Sequence, residues 1–242
     1  MDEVVSTQLE FQEQLGEVDA NRVVAAEYQS HGRGRFDRKF ESQRSLGLTF
    51  SIGLKPARDR NEWSWLPLLV GSAIAESLND QLFSANVVTT KWPNDIVDSS
   101  GRKFGGILME LRGDGLVVGI GINVLESGEE LAVPHAISLA MVSSPVKSGE
   151  ISREDILAIL LDGIRERYEY WLAKGCDESE LARYRESSLT LSEEATREVR
   201  CELPGARVIE GRVRGIKADG RLLVEGDTAL HEIQVGDVFH LR

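Results

Sequence analysis

The sequence predicts an α+β fold: a mixed, largely antiparallel sheet with helices, followed by a small C-terminal β-barrel. Three observations carry this. Between residues 87 and 124, short β-branched runs alternate with Gly-, Asp- and Ser-containing turns, the mark of antiparallel neighbours rather than of a doubly wound parallel sheet. Two long stretches, residues 62–83 and 152–175, repeat apolar side chains at the three-and-four spacing of amphipathic helices. After Leu191 the pattern turns to short strands with closely spaced turn signals, which suggests a barrel of about fifty residues, marginal alone and so docked on the main body.

The elements follow in order. Leu9, Phe11, Gln12 and Leu15 suggest a first helix, and Ser6 or Thr7 reads equally as its cap. Residues 22–28 form a strand, and residues 48–54 another, closed by Pro56. In the helix of residues 62–83, Pro67 fits only near the first turn, where its missing N–H costs little; Trp63 and Trp65 read as packing. Residues 87–92, 96–98, 103–111 and 116–124 are strands. Their glycines, Gly105, Gly106, Gly119 and Gly121, are either bulges or the floor of a slot where a ligand comes close. Residues 125–150 are loop with a short apolar piece at 136–142. Ser152 caps the next helix with Asp155 in the capping-box place, and Gly175 ends it. A polar helix covers residues 178–186. Five strands complete the chain, broken by Pro204-Gly205, Asp219-Gly220 and Gly226-Asp227.

Charge singles out one segment. The chain has a net charge of -12, yet Arg33, Arg35, Arg38 and Lys39 crowd one short loop whose only acid is Asp37. Gly32 and Gly34 let the backbone bend and approach a ligand, and the arginine forks fit phosphate or carboxylate oxygens in pairs. The loop is either an anion site or a solvated basic segment; it lacks the Gly-Lys-Ser/Thr of a P-loop, and a single short arginine-glycine copy is a weak RNA signal. The acidic balance disfavours a broad nucleic-acid surface. No apolar run approaches a membrane span, the first residues are acidic rather than signal-like, and Cys176 and Cys201 have no metal spacing, which together predict a cytoplasmic, reduced, metal-free protein.

Taken together, Gly32-Arg33-Gly34-Arg35, Lys91-Trp92-Pro93-Asn94-Asp95, Lys103-Phe104-Gly105-Gly106-Ile107-Leu108 and Gly119-Ile120-Gly121-Ile122-Asn123 resemble the biotin protein ligases in order and separation, over nearly the full chain. The resemblance implies a sheet with helices on one side, related to class II aminoacyl-tRNA synthetases and lipoyl ligases, over residues 1–190, and an SH3-like barrel over residues 191–242. It implies a two-step reaction: biotin and ATP, with Mg²⁺, give biotinyl-5′-adenylate and pyrophosphate, and a lysine of a biotin carboxyl carrier domain then takes the biotinyl group. No tightly bound prosthetic group is expected. Lys103, Arg35 and Arg33 are the implied catalytic residues. Ser6, Thr7, Gln8, Gln29, Gly32, Arg33, Gly34, Arg35, Lys103 and Gly106 would hold biotin; Arg33, Arg35, Arg38, Lys91, Asn94, Asp95, Lys103 and Asn123 would hold the nucleotide. Trp92 reads equally as packing or as a ligand contact.

Three places depart from the family pattern: Phe36 and Asp37 stand where it has Arg-Gly, Phe40 where it has Trp, and Gln8 where it has Asn. Asp37 is expected to pair with Arg35 or Arg38. The first motif begins at Ser6, which leaves no room for the DNA-binding domain of some relatives, so no DNA and no membrane is the expectation; monomer and homodimer stay open. The rival readings are a lipoyl or octanoyl transferase of the same fold and a non-catalytic biotin-binding module.

Overall fold

The computed structural model describes residues 1–11, 18–41, 43–192 and 198–241, with only the backbone of Asp37. The Asp37 ion pair, and Gln12 and Leu15 of the expected first helix, therefore lie outside the described residues; what is described there is one 3-10 turn, Leu9–Phe11.

Six strands, β1 (Val23–Ala26), β2 (Leu48–Leu54), β3 (Val88–Lys91), β4 (Asp95–Asp98), β5 (Lys103–Arg112) and β6 (Gly115–Ile122), make one open sheet ordered β1-β2-β6-β5-β4-β3. Every ladder in it is antiparallel. Parallel pairing is confined to the isolated bridges Val4–Gln29, Thr90–Ser188 and Lys103–Ala136. Four helices are described: α1 (Leu66–Leu82), α2 (Ser144–Ser148), α3 (Arg153–Lys174) and α4 (Glu178–Ser187). Pro67 sits in the first turn of α1 as its chemistry requires. Ser152 accepts from the Asp155 amide and Asp155 answers the Ser152 amide, a full capping box despite the Asp. The short α2 has no counterpart in the sequence reading, because five residues carry too little periodicity to stand out.

Strand alternation separates a core face from a site face. On β2, Leu48, Phe50, Ile52 and Leu54 join the main hydrophobic core, and on β6 Val118, Ile120 and Ile122 do the same. Helix α1 lies on that face, close enough that a Cβ on Gly71 would stand 3.3 Å from Thr90 Cγ2 and 3.5 Å from Ile107 Cδ1. Helices α3 and α4 pack on α1 in turn. The intervening residues, Thr49, Ser51 and Gly53 on β2 with Gly119 and Gly121 on β6, turn away from the helices.

One core residue escaped the helical pattern. Arg167 is 1% exposed, sandwiched between Glu180 (2.8 Å) and Glu76 (2.7 Å), with the Trp65 indole donating to the same Glu180 at 3.0 Å. A buried cation survives only when paired and fully hydrogen-bonded, and this one is.

Residues 198–240 form a second antiparallel sheet: β7 (Glu198–Leu203), β8 (Arg207–Ile216), β9 (Leu222–Glu225), β10 (Leu230–Ile233) and β11 (Asp237–His240), ordered β10-β9-β8-β7-β11. Its buried side chains, among them Val199, Cys201, Leu222 and Val224, belong to the same core as α1. The junction is specific. Trp92 Nε1 donates to Gly220 O at 3.0 Å and Ser64 Oγ to Asp219 O at 2.8 Å. Trp92 is 2% exposed, so of its two readings the structure selects packing. Burial pushes the Cys201 thiol up to about 11, and burial with nearby Glu180 and Asp177 pushes Cys176 up to about 12, which leaves both unreactive at neutral pH.

Candidate active site

The site face of the sheet carries a cavity of about 350 Å³. Its floor follows from register: Gly106 pairs with Gly121 and Leu108 with Gly119 across β5 and β6. A Cβ on Gly119 would stand 2.8 Å from the Gln8 carboxamide carbon, and one on Gly121 2.4 Å from the Phe40 ring. Of the two readings of these glycines, the slot floor is therefore the one that holds for Gly119 and Gly121. Gly105 faces backbone instead, with a Cβ meeting Gly121 O at 2.1 Å.

One end of the slot is polar and neutral. The Thr7 amide and hydroxyl both donate to Gln29 Oε1, at 2.8 and 3.1 Å, and Thr7 Oγ1 lies 2.7 Å from Ser51 Oγ. Gln8 Nε2 donates to Leu108 O at 2.8 Å, which lays the side chain along the floor. Thr7 is thus committed to this cluster and not to capping a helix. Ser51, fully buried, is a member that sequence reading missed; it sits inside an apolar alternation that marked only a strand.

The other end is cationic. Lys103 Nζ stands 2.5 Å from Asp95 Oδ1. Arg35 Nη1 donates to Asn94 Oδ1 at 3.1 Å and to Gly236 O at 3.2 Å, with Asp237 Oδ1 at 3.6 Å. Arg38 Nη2 reaches both oxygens of Asp237, at 3.1 and 2.8 Å. Between the two guanidiniums, 4.8 and 5.5 Å from them, lies the Phe36 ring, at φ 53 in the left-handed region. This is what Phe36 does in place of the family's arginine: it stacks with the neighbouring cations. Burial lowers the Arg35 pKa, with Asp237 opposing and Arg38 assisting. Lys91 is lowered by burial too, with Asp95 opposing and Lys103 assisting.

All the expected site residues line this cavity except two. Gly32 borders a smaller neighbouring cavity of about 230 Å³, where a Cβ would meet Phe40 O at 2.1 Å. Lys91 is directed instead to the second sheet, its Nζ 5.7 Å from the centre of the Phe239 ring on β11. Asn123 lines the cavity while donating to Lys103 O and Ile137 O, both at 3.2 Å, and so fixes the wall of residues 132–136. Arg33 lines it too, but its guanidinium is engaged by Glu110 (2.8 Å). Asp237 was missed because no motif marks it: Arg38 lies 199 residues earlier in the chain, and Arg35 lies 201 residues before the neighbouring Gly236. Among the described residues no group of three or more His, Cys, Asp or Glu is placed to hold a metal ion.

The Biotin/lipoate A/B protein ligase family profile matches residues 2–125, and that of the biotin protein ligase C terminal domain matches residues 197–241. The biotin--[acetyl-CoA-carboxylase] ligase of Mycobacterium tuberculosis is 33% identical over 224 residues, covering 91% of this chain and 79% of that protein. The bifunctional ligase/repressor BirA of Escherichia coli is 29% identical over 238 residues, 96% of this chain and 70% of that protein. The structure of a biotin protein ligase from Aquifex aeolicus in complex with biotin and ATP superposes with a TM-score of 0.81 at 30% identity, covering 100% of this chain and 97% of the other. With both of its sheets matched and a glycine-floored slot meeting a cationic loop between them, the chain belongs to the biotin protein ligase family.

Proposed function

We propose that this protein attaches biotin to a specific lysine of a biotin carboxyl carrier domain, using ATP and passing through biotinyl-5′-adenylate. The observation that carries the reading is the cavity itself: a neutral hydrogen-bonding end, a flat glycine floor, and a cationic end within one space. The ureido head of biotin would meet Thr7, Gln8 and Gln29, groups that would cost free energy if buried unpaired. The valeryl chain would run along the slot beside Gln8 and Phe40, the side chains that lie on Gly119 and Gly121. Its carboxylate would then arrive at Lys103.

Attack of that carboxylate on the α-phosphate of ATP forms the acyl-phosphate bond and expels pyrophosphate. It brings two anions together, so cations fixed in advance lower the barrier. In this reading Lys103 bridges the carboxylate and the α-phosphate, with Asp95 orienting it, while Arg35 and Arg38 exchange Asp237 for phosphate oxygens. Mg²⁺ would arrive with ATP, neutralising the pyrophosphate oxygens, with Asn94 and Asp95 nearest. Asn123 and the 132–136 wall would receive adenine. The carrier lysine amine then attacks the carbonyl of the mixed anhydride, forming the amide and releasing AMP. Closure of the basic loop keeps water from the anhydride meanwhile. The division of labour proposed is residues 1–190 for the chemistry and residues 191–242 for closing its nucleotide end, in the cytoplasm.

The polar end argues against lipoate, whose dithiolane has nothing to pair with Gln29 or Thr7. The test is pyrophosphate release from ATP with Mg²⁺. Release is expected with biotin, sustained turnover only with a carrier domain. Faster release with lipoate, or biotin binding without any release, would overturn the reading.

A further inference from the structure

We propose that Arg33 acts as a loop anchor rather than as a phosphate ligand, and that Glu110 on β5 is the positioning residue that holds it. This rests on the ligase reading above and assigns the two arginines of the basic loop different tasks. Arg33 Nη1 donates to Glu110 Oε2 at 2.8 Å and its Nη2 lies 2.8 Å from Oε1, a two-pronged pair. Arg112 adds a second cation on Glu110 Oε2 at 2.8 Å. The pair takes two of the five N–H donors of Arg33 and offsets its charge, which weakens its pull on a phosphate. Arg35 is set otherwise: its hydrogen bonds go to the neutral acceptors Asn94 Oδ1 and Gly236 O, its carboxylate neighbour Asp237 stands off at 3.6 Å rather than 2.8 Å, and it opens onto the cavity.

The anchor sits where it controls the slot. Glu110 stands two residues beyond Leu108 on the strand that forms the floor. Arg33 pairs with Lys39 in an antiparallel bridge, flanked by Phe40 N donating to Gly32 O at 3.0 Å and Gly34 N to Arg38 O at 2.7 Å. The basic loop is therefore a small hairpin of its own, and pinning Arg33 to β5 pins the base of that hairpin beside Gln29. The pair fixes the wall over biotin; Arg35 carries the charge to the reacting centre.

Glu110→Gln, Arg33→Gln and the double variant test this. In ligand-free protein, trypsin is expected to cut the loop after Arg35 roughly fivefold faster in Glu110→Gln than in wild type, the size of a partly exposed pair. In turnover, Glu110→Gln raises KM for biotin by a similar factor while kcat stays within about twofold, and the double variant is no worse than either single one. Unchanged cleavage, an unchanged KM, additive losses in the double variant, or a kcat for Arg33→Gln as low as that of Arg35→Gln would each overturn the proposal. The cleavage measurement needs no substrate, so a wild-type protein without biotin-dependent pyrophosphate release would refute the ligase reading while cleavage still decided the anchor.

Discussion

Replacing Trp92 by Phe should loosen the C-terminal sheet from the six-stranded one. The residue is 2% exposed, its Nε1 donates to Gly220 O at 3.0 Å, and its backbone amide donates to Thr190 Oγ1 at 3.0 Å. Phenylalanine keeps most of the packing but removes the one side-chain donor that, among the described residues, reaches this carbonyl from the catalytic side. Leaving a buried acceptor unpaired costs about 1–3 kcal/mol, and the lost ring adds a small cavity. A total near 2 kcal/mol lowers the melting temperature of a chain this size by roughly 4–8 °C. There is a functional consequence, because Asp237 and Gly236 reach Arg35 and Arg38 from the start of β11 in the same C-terminal sheet. KM for ATP should therefore rise more than KM for biotin. Differential scanning calorimetry and the pyrophosphate assay measure the two. An unchanged melting temperature with a raised biotin KM would refute the reasoning and make Trp92 a ligand contact.

Other outcomes follow from the same geometry. Lys103→Ala should slow adenylate formation by about 10²–10³-fold, the scale of losing one preorganised charge-stabilising group, with a far smaller change in biotin binding by calorimetry; equal losses would remove its assigned role. Arg35→Gly should raise the amount of biotinyl-adenylate that escapes into solution, read by hydroxylamine trapping or chromatography of the free intermediate. Gly121→Ala places a methyl 2.4 Å from the Phe40 ring, so the loop must lift and KM for biotin should rise several-fold, on the order of the 1–3 kcal/mol cost of overpacking. Asp98 supplies a pH dependence. Burial raises its pKa, but hydrogen bonds from Ser100 and Arg102, with the Arg102 charge, outweigh burial and lower it. A folded pKa below the unfolded one stabilises above the ordinary carboxylate range and is lost as pH falls through the folded value. The turn before Lys103 should therefore weaken below about pH 4, and Asp98→Asn should flatten that acid limb in a stability–pH series.

Much of this architecture is written locally. Leu48–Leu54 alternates apolar and small polar residues, and it is a strand with those bounds. Ser152, Asp155 and Gly175 mark the ends of α3 through capping chemistry that needs only near neighbours. The slot floor was one of two readings open for Gly105, Gly106, Gly119 and Gly121, which weaken strands without evident local benefit; it holds for Gly119 and Gly121 and not for Gly105. What escaped detection was pairing across long separations. Nothing near Glu110 shows that it holds Arg33, 77 residues earlier, and nothing near Asp237 points to the basic loop. Arg167 reads as a surface position on its helix until Glu76 and Glu180 are brought from two others. Ser51 and Lys91 lie in strands whose periodicity fixes the face but not the chemistry opposite it. Side-chain charge and polarity declare what a residue can do; tertiary contact decides which partner it does it with.

The most direct measurement is a crystal structure of the protein with biotin and a nonhydrolysable ATP analogue. The account predicts the ureido head within hydrogen-bonding distance of Thr7 and Gln29, the carboxylate and α-phosphate both reached by Lys103, and Arg35 turned from Asp237 to phosphate. Biotin or nucleotide bound away from the Gly119–Gly121 floor and these cations would contradict it.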